Sequence, residues 1–274
     1  MKHRLVTSAL VGLVMALAVP AGASSSDQAL WVWDGPVDGV IEFAVNRSVT
    51  DLYLSAPPGF SSDARYAPFI ADARTQGLRV WAVAGDASWA KNSSAWVDWT
   101  TEVVGFGQFD GIVADVEPYL LADWSNDRRR SRLISSYLKN LKSATAAAGS
   151  TEMLVAVPFW WDLDEYRIKG KTLVEQTLAT TDGVVVMAYR DHAEGVDGIV
   201  DLAGFEVALG SQMSKRVVVG VETGAASLDK VTFQEEGLAA MAAELTKVEA
   251  AFTGASGYGG VAIHHYASYS TMNP

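Results

Sequence analysis

A single (β/α)8 barrel, the TIM-barrel form of the α/β class, is the fold this sequence predicts, and three observations predict it. Strand-like and helix-like segments alternate eight times along the chain. Most of the strand-like runs are apolar at nearly every position, as in Leu78-Arg-Val-Trp-Ala-Val-Ala-Gly85 and Arg216-Val-Val-Val-Gly-Val221. Such runs suit parallel strands covered on both faces. About 250 residues remain once an N-terminal leader is set aside, the usual size of one such barrel. An open doubly wound sheet is the rival, but no Gly-rich nucleotide-binding turn follows any early strand.

Residues 1–23 read as an export signal and 24–274 as the barrel. Lys2 and Arg4 give a positive start, Leu10 to Val19 an apolar run, and Ala21, Gly22 and Ala23 a small-residue cleavage site. The run is short for a membrane span, and no later segment supplies one. A secreted, periplasmic or cell-envelope location is therefore expected, with no lipobox cysteine for lipid attachment. The chain has 274 residues and a formal charge of −11, and losing Lys2 and Arg4 leaves it more acidic still. Such a surface disfavours nucleic acid and anionic membranes. The lack of any cysteine removes disulfides, thiolate metal sites and cysteine nucleophiles. No cofactor is expected, and a monomer is.

Strands are expected at 29–34, 49–56, 78–85, 109–117, 152–160, 183–190, 216–223 and 259–266. Helical periodicity fills the gaps at 66–76, 95–105, 127–148 and 233–252. The eighth strand is expected to lack its helix. The long fourth helix opens with Arg128, Arg129 and Arg130, which read as a solvated face.

In such a barrel the chemistry sits where the strands end. Strand 1 brings Trp33 and Asp34, strand 3 Asp86, and strand 4 Asp115, Glu117 and Tyr119. Strand 5 brings Trp160 and Trp161, strand 6 Tyr189, Arg190 and Asp191, strand 7 Glu222, and strand 8 His264 and Tyr266. Val113, Asp115 and Glu117 alternate onto one face of the fourth strand, which Pro118 ends. Trp160 and Trp161 fall on opposite faces, so only one of them can be a sugar platform. Carboxylates among aromatic side chains suit cleavage of a glycosidic bond, with a carbohydrate as partner. One acid protonates the departing oxygen, and a second group stabilises the oxocarbenium-like centre.

The stretch Asp110-Gly-Ile-Val-Ala-Asp-Val-Glu117 resembles the fourth-strand signature of chitinase-type barrels, glycoside hydrolase family 18. Met187-Ala-Tyr189 resembles their sixth-strand motif, and Gly259-Gly-Val-Ala-Ile263 their eighth. The resemblance implies Glu117 as general acid, Asp115 as the group that orients an acetamido substituent, and Tyr189 as its hydrogen-bond partner. The substrate's own amide is the nucleophile in that family. Three positions depart from the pattern. Val113 replaces the middle aspartate, Arg190 stands where an aspartate is usual (with Asp191 next to it), and His264 replaces the tryptophan that floors the sugar subsite. Those departures equally suit a carbohydrate-binding barrel that has lost catalysis.

Glu222 supports a further reading, in which Glu117 and Glu222 form a two-carboxylate site and Arg190 keeps one of them ionised. Asp115 and Glu117 could also be a structural pair neutralised by Arg190. A metal-assisted hydrolase is the weakest alternative, because adjacent His264 and His265 point to opposite faces of a strand and no H-x-H or H-E-x-x-H spacing occurs.

Overall fold

The computed structural model describes residues 27–274. The leader expected over 1–23 and the serines that follow it lie outside those residues. Eight parallel strands close on themselves in sequence order, β1 (Gln28–Val32), β2 (Asp51–Ser55), β3 (Arg79–Ala84), β4 (Gly111–Ala114), β5 (Met153–Pro158), β6 (Gly183–Met187), β7 (Arg216–Glu222) and β8 (Tyr258–His264). β8 pairs with β1 through Gln28–Val261, Ala29–Ala262 and Leu30–Ile263, which completes the barrel.

The helices α1 (Val40–Asn46), α2 (Tyr66–Thr75), α3 (Ser93–Phe106), α4 (Asp127–Ala148), α5 (Leu173–Leu178), α6 (Ile199–Met213) and α7 (Gly237–Phe252) form the outer layer. A strand buried on both faces divides its apolar residues between two cores. Trp31, Tyr53, Trp81, Val83, Val113, Leu154 and Val218 fill the inside of the barrel. Leu30, Val32, Leu52, Leu54, Ile112 and their alternates pack outward against the helices. The eighth strand does have a helix, contrary to expectation, in the single turn α8 (Tyr266–Tyr269). Tyr266 and Tyr269 set their rings edge-on to Phe43 of α1, with centroids 5.4 and 5.2 Å away, and so close the gap between α7 and α1.

Several strands stop earlier than their apolar pattern suggests. β4 ends at Ala114, although Asp115 still donates its N–H to the Ala84 carbonyl at 3.0 Å. β5 ends at Pro158, and Trp160 and Trp161 lie on the 3-10 turn Phe159–Asp162. β6 ends at Met187, so Tyr189 and Arg190 stand on the loop beyond it. Hydrophobic continuity marks burial, and the turns at the rim are buried too.

An ionic network closes the N-terminal end. Asp51 is fully buried and accepts from Arg79 at 2.7 Å, from the Trp81 indole at 2.6 Å and from Thr50 at 2.6 Å. Asp27 links Arg79 to Arg216, and the Arg216 guanidinium lies 5.5 Å above the Trp81 ring. A buried carboxylate is tolerated only with such a set of donors. Asp51→Ala should leave the Trp81 N–H buried and unpaired and destabilise the fold by about 3 kcal/mol, as read by urea denaturation.

Candidate active site

The residues that follow β4 form the centre of the C-terminal face. β3 and β4 approach so closely here that a Cβ on Gly85 would lie 1.7 Å from the Asp115 carbonyl oxygen. Only glycine fits at that point, and the packing holds the Asp115 backbone in place. Val113, two residues earlier, belongs to the barrel interior. An apolar side chain therefore stands below Asp115 where the resembled signature has an aspartate.

Asp115 and Glu117 are both largely withdrawn from solvent. Burial raises the Asp115 carboxyl to about 6. Burial, with the Asp115 charge added, raises Glu117 to about 7. No arginine or lysine is among the charges that act on either group; His264 acts to lower both, by less than burial raises them. The Tyr119 hydroxyl donates to Glu117 Oε1. Tyr119 in turn packs edge-on against Trp160 at 5.2 Å and Trp124 at 6.2 Å. Tyr166 joins them, 4.9 Å from Trp160 and 5.5 Å from Trp124. An aromatic cluster thus stands beside the acid. Trp124 and Tyr166 were not singled out from the sequence, because both come from loops rather than strand ends. Their only signal was aromatic character in the connections after β4 and β5.

Trp160 and Trp161 do separate, but through the 3-10 turn rather than strand alternation. Trp160 is partly exposed in the aromatic cluster. Trp161 is fully buried 5.4 Å from Tyr137 of α4, so it is packing and cannot be a sugar platform.

Arg190 is also not where the sequence reading put it. It is buried over the Phe159 ring at 5.2 Å, and it donates to its neighbour's carbonyl at 2.6 Å and to Asp197 Oδ1 at 2.5 Å. Its partner is Asp197, which Lys230 also contacts at 2.7 Å, so it neutralises neither Asp115 nor Glu117. The loop beyond β6 sets Tyr189 among the carboxyls and its successor against Asp197. Asp191 contacts His192 Nδ1 at 2.6 Å on that outer side.

Tyr189 stands among Glu222, Asp115 and Glu117, and burial with those three charges holds its hydroxyl well above the ordinary value, so it stays protonated. A Cβ on Gly220 of β7 would lie 3.0 Å from the Val186 carbonyl oxygen, with the Tyr189 ring in ordinary contact beyond it at 3.4 Å.

Glu222 shares the inward side of β7 with Val218. Its Oε1 accepts from the backbone N–H of Thr223 at 2.8 Å and of Gly224 at 2.6 Å, and its Oε2 meets His264 Nδ1 at 2.7 Å. Burial pushes this carboxyl up, but His264 and the two backbone donors outweigh it and hold it below the usual range. On the other side of the imidazole, the Trp33 indole N–H donates to His264 Nε2 at 2.8 Å. The Trp33 ring stacks on Trp31 at 5.4 Å.

The remaining sequence candidates lie further out. Asp34 is exposed at the end of β1, where its charge acts on His265. Asp86 is exposed after β3 and accepts from the Ser88 N–H at 2.8 Å. Open grooves of about 340 and 450 Å³ run beside Trp33, one lined by Asp34 and Pro57, the other by Asp86 and Pro58. Tyr266 packs edge-on against Phe43 of α1. Among the described residues, no three histidine, aspartate or glutamate side chains gather as a metal-holding group.

No protein-family model matches the sequence, and no curated protein does. Solved structures do match it. Those that follow are glycoside hydrolases or a cortex-lytic enzyme. The family 18 chitinase from Cycas revoluta, solved with (GlcNAc)3, is 16% identical, with 88% of this chain and 95% of that one covered and a TM-score of 0.50. The Bacillus cereus spore cortex-lytic enzyme SleL is 11% identical over 95% of this chain and 75% of that one, with a TM-score of 0.56. The glycoside hydrolase domain of PgaB (BpsB) from Bordetella bronchiseptica is 13% identical over 86% and 93%, with a TM-score of 0.51. At such identities the likeness establishes the shared (β/α)8 barrel. It includes the chitinase-type barrels that the motifs of strands 4, 6 and 8 resemble.

Because the folded Glu117 value of about 7 lies above its ordinary 4.5, its contribution to stability is complete below about pH 4.5 and is lost as the pH rises through 7. Glu117→Gln keeps the acceptor for Tyr119 and removes the charge. It should leave the melting temperature unchanged near pH 4 and raise stability at pH 8 by about 1–2 kcal/mol, after allowance for partial exposure.

Proposed function

We propose that this chain is an exported glycoside hydrolase that cleaves O-glycosidic bonds of a poly- or oligosaccharide with Glu117 as proton donor. The observation that carries the reading is a carboxyl raised to about 7, beside a second raised carboxyl and an aromatic cluster, at the C-terminal end of β4. A general acid works best with an affinity for its proton near the working pH. Glu117 meets that condition through burial and the neighbouring Asp115 charge.

Asp115 takes part as the neighbour that favours the proton on Glu117 and presents an acceptor toward the substrate. In a substrate-assisted route it would hold an acetamido N–H, with the Tyr189 hydroxyl donating to the amide oxygen as that oxygen attacks the anomeric carbon. The (GlcNAc)3 bound to the Cycas revoluta chitinase supports an N-acetylated sugar as the first substrate to try. Glu222 fits the role of nucleophile poorly, because both of its oxygens are engaged by His264 and two backbone donors. This favours substrate assistance over a Glu117–Glu222 pair.

A carbohydrate-binding barrel without catalysis is the second reading, favoured by Val113, which leaves Asp115 without a carboxyl partner from below. Residues 1–23, read as an export signal, support action outside the cytoplasm.

The test is hydrolysis of N-acetylated oligosaccharides, other polysaccharides and aryl glycosides by the wild type and Glu117→Gln. The substitution should lower turnover by about 10²–10⁴ on natural linkages, and less on aryl glycosides whose leaving group needs no proton. Equal turnover by both proteins would remove Glu117 from the mechanism; glycan binding with no product would favour the second reading. For the wild type, kcat/KM should decline above about pH 7 as Glu117 loses its proton.

A further inference from the structure

Tyr189 is held from behind. Among the described residues no hydrogen bond reaches its hydroxyl, so the loop after β6 and the packing of the ring set where that hydroxyl points. The tie on that loop is the next side chain. Arg190 is 7% exposed; its Nη1 donates back to the Tyr189 carbonyl at 2.6 Å, and its Nη2 donates to Asp197 Oδ1 at 2.5 Å. The guanidinium also lies 5.2 Å from the centre of the Phe159 ring, at the start of the turn that carries Trp160. Asp197 uses its second oxygen on Lys230, 2.7 Å away, and the Lys230 carbonyl accepts the Asp191 N–H at 3.1 Å. The segment bearing Lys230 returns to Glu222, whose carbonyl accepts from the Phe233 N–H at 2.9 Å. One ion pair thus joins the loops that leave β5, β6 and β7.

Stability alone accounts poorly for this pair. The Arg190 Nε–H is buried without an acceptor among the described residues, a costly state for a cation. Asp197 adopts the left-handed conformation, with φ 67°, where glycine would be the easier residue. Both costs fall on the two residues that make the tie. We propose that Arg190 and Asp197 are positioning residues of the site: Asp197 orients the guanidinium, and the guanidinium holds the Tyr189 carbonyl, so that the Tyr189 hydroxyl stays among Asp115, Glu117 and Glu222. A carbonyl gripped by a planar fork fixes the peptide that follows Tyr189, and Lys230 ties that fork to the neighbouring loop. The catalytic consequence rests on Tyr189 as the hydrogen-bond donor to the substrate amide; the placement of its ring does not depend on turnover.

The test places 3-fluorotyrosine at position 189 and reads its ¹⁹F NMR line in the wild type, Asp197→Gly and Asp197→Asn. Glycine keeps the left-handed turn and removes the carboxylate. Asparagine keeps both the turn and an acceptor for Arg190. The wild type should give one narrow line, Asp197→Gly a broadened or divided one, and Asp197→Asn a single line again. On N-acetylated oligosaccharides, Asp197→Gly should lower kcat about tenfold and change KM by less than about twofold, since a misplaced group costs rate more than binding. Asp197→Asn should recover most of that loss. In a Tyr189→Phe background, Asp197→Gly should lower kcat further by less than about twofold, because the hydroxyl it displaces is already gone.

A ¹⁹F line unchanged in Asp197→Gly would overturn the proposal. So would a loss of turnover as large in the Tyr189→Phe background as in the wild type, which is what a general loosening of the rim would give. If Asp197→Gly does not fold, Arg190→Met, which leaves Asp197 paired with Lys230, is read in its place against the same two outcomes. Absence of hydrolysis from every glycan, with the ¹⁹F lines as expected, would sink the glycosidase reading and leave the placement of Tyr189 standing.

Discussion

Two carboxyl groups withdrawn from water, with no arginine or lysine charge acting on them, set the electrostatics of the C-terminal face. Asp115 and Glu117 reach that state because the fourth strand ends where β3 crowds against it. Gly85 leaves no space for a side chain, and Val113 blocks the barrel interior below. Desolvation disfavours both charges, and each disfavours the other, so one proton is retained near neutrality. The Tyr119 hydroxyl bonds to Glu117, and the aromatic residues behind Tyr119 keep that side apolar.

The opposite end of the barrel solves the reverse problem. There Asp51 is more deeply buried than Asp115 or Glu117, yet Arg79, Trp81 and Thr50 all donate to it. The same chemical group is a structural plug at one end, where cations and N–H donors converge. At the other end the cations are directed elsewhere. Arg190 is the clearest case, bound to Asp197 on the outer side of the β6 loop. The separation of charge between the two ends leaves the upper acids unneutralised, as the role proposed for Glu117 requires.

The substitutions that distinguish this chain from the chitinase-type pattern are connected in space. His264, in place of the floor tryptophan, lies between Glu222 and Trp33 and tilts 31° from the Tyr189 ring at 6.1 Å. A flat apolar floor is replaced by a hydrogen-bonded polar one. Its oxygens and nitrogens satisfy one another and leave only the faces of the rings for contact.

The sequence by itself determined the barrel and the strand ends on which its acids sit. Apolar runs buried on both faces, eight alternations and the length of the chain leave little other choice. It also placed Asp115 and Glu117 together at the C-terminal side of β4, although the strand stops at Ala114 and Glu117 leads into the 3-10 turn Pro118–Leu120, so strand alternation and Pro118 do not set their positions. What it could not contain was the partner of each polar side chain. Arg190 and Asp197 are seven residues apart but on a loop whose turn no periodicity reveals. Trp33 and His264 are 231 residues apart and meet only because β8 closes against β1. The wall formed by Trp124 and Tyr166 likewise depends on how two loops fold over the rim. Strand pattern is written in neighbours along the chain, whereas hydrogen bonds and charge pairs at the rim are made between residues that only the closed barrel brings within 3 Å.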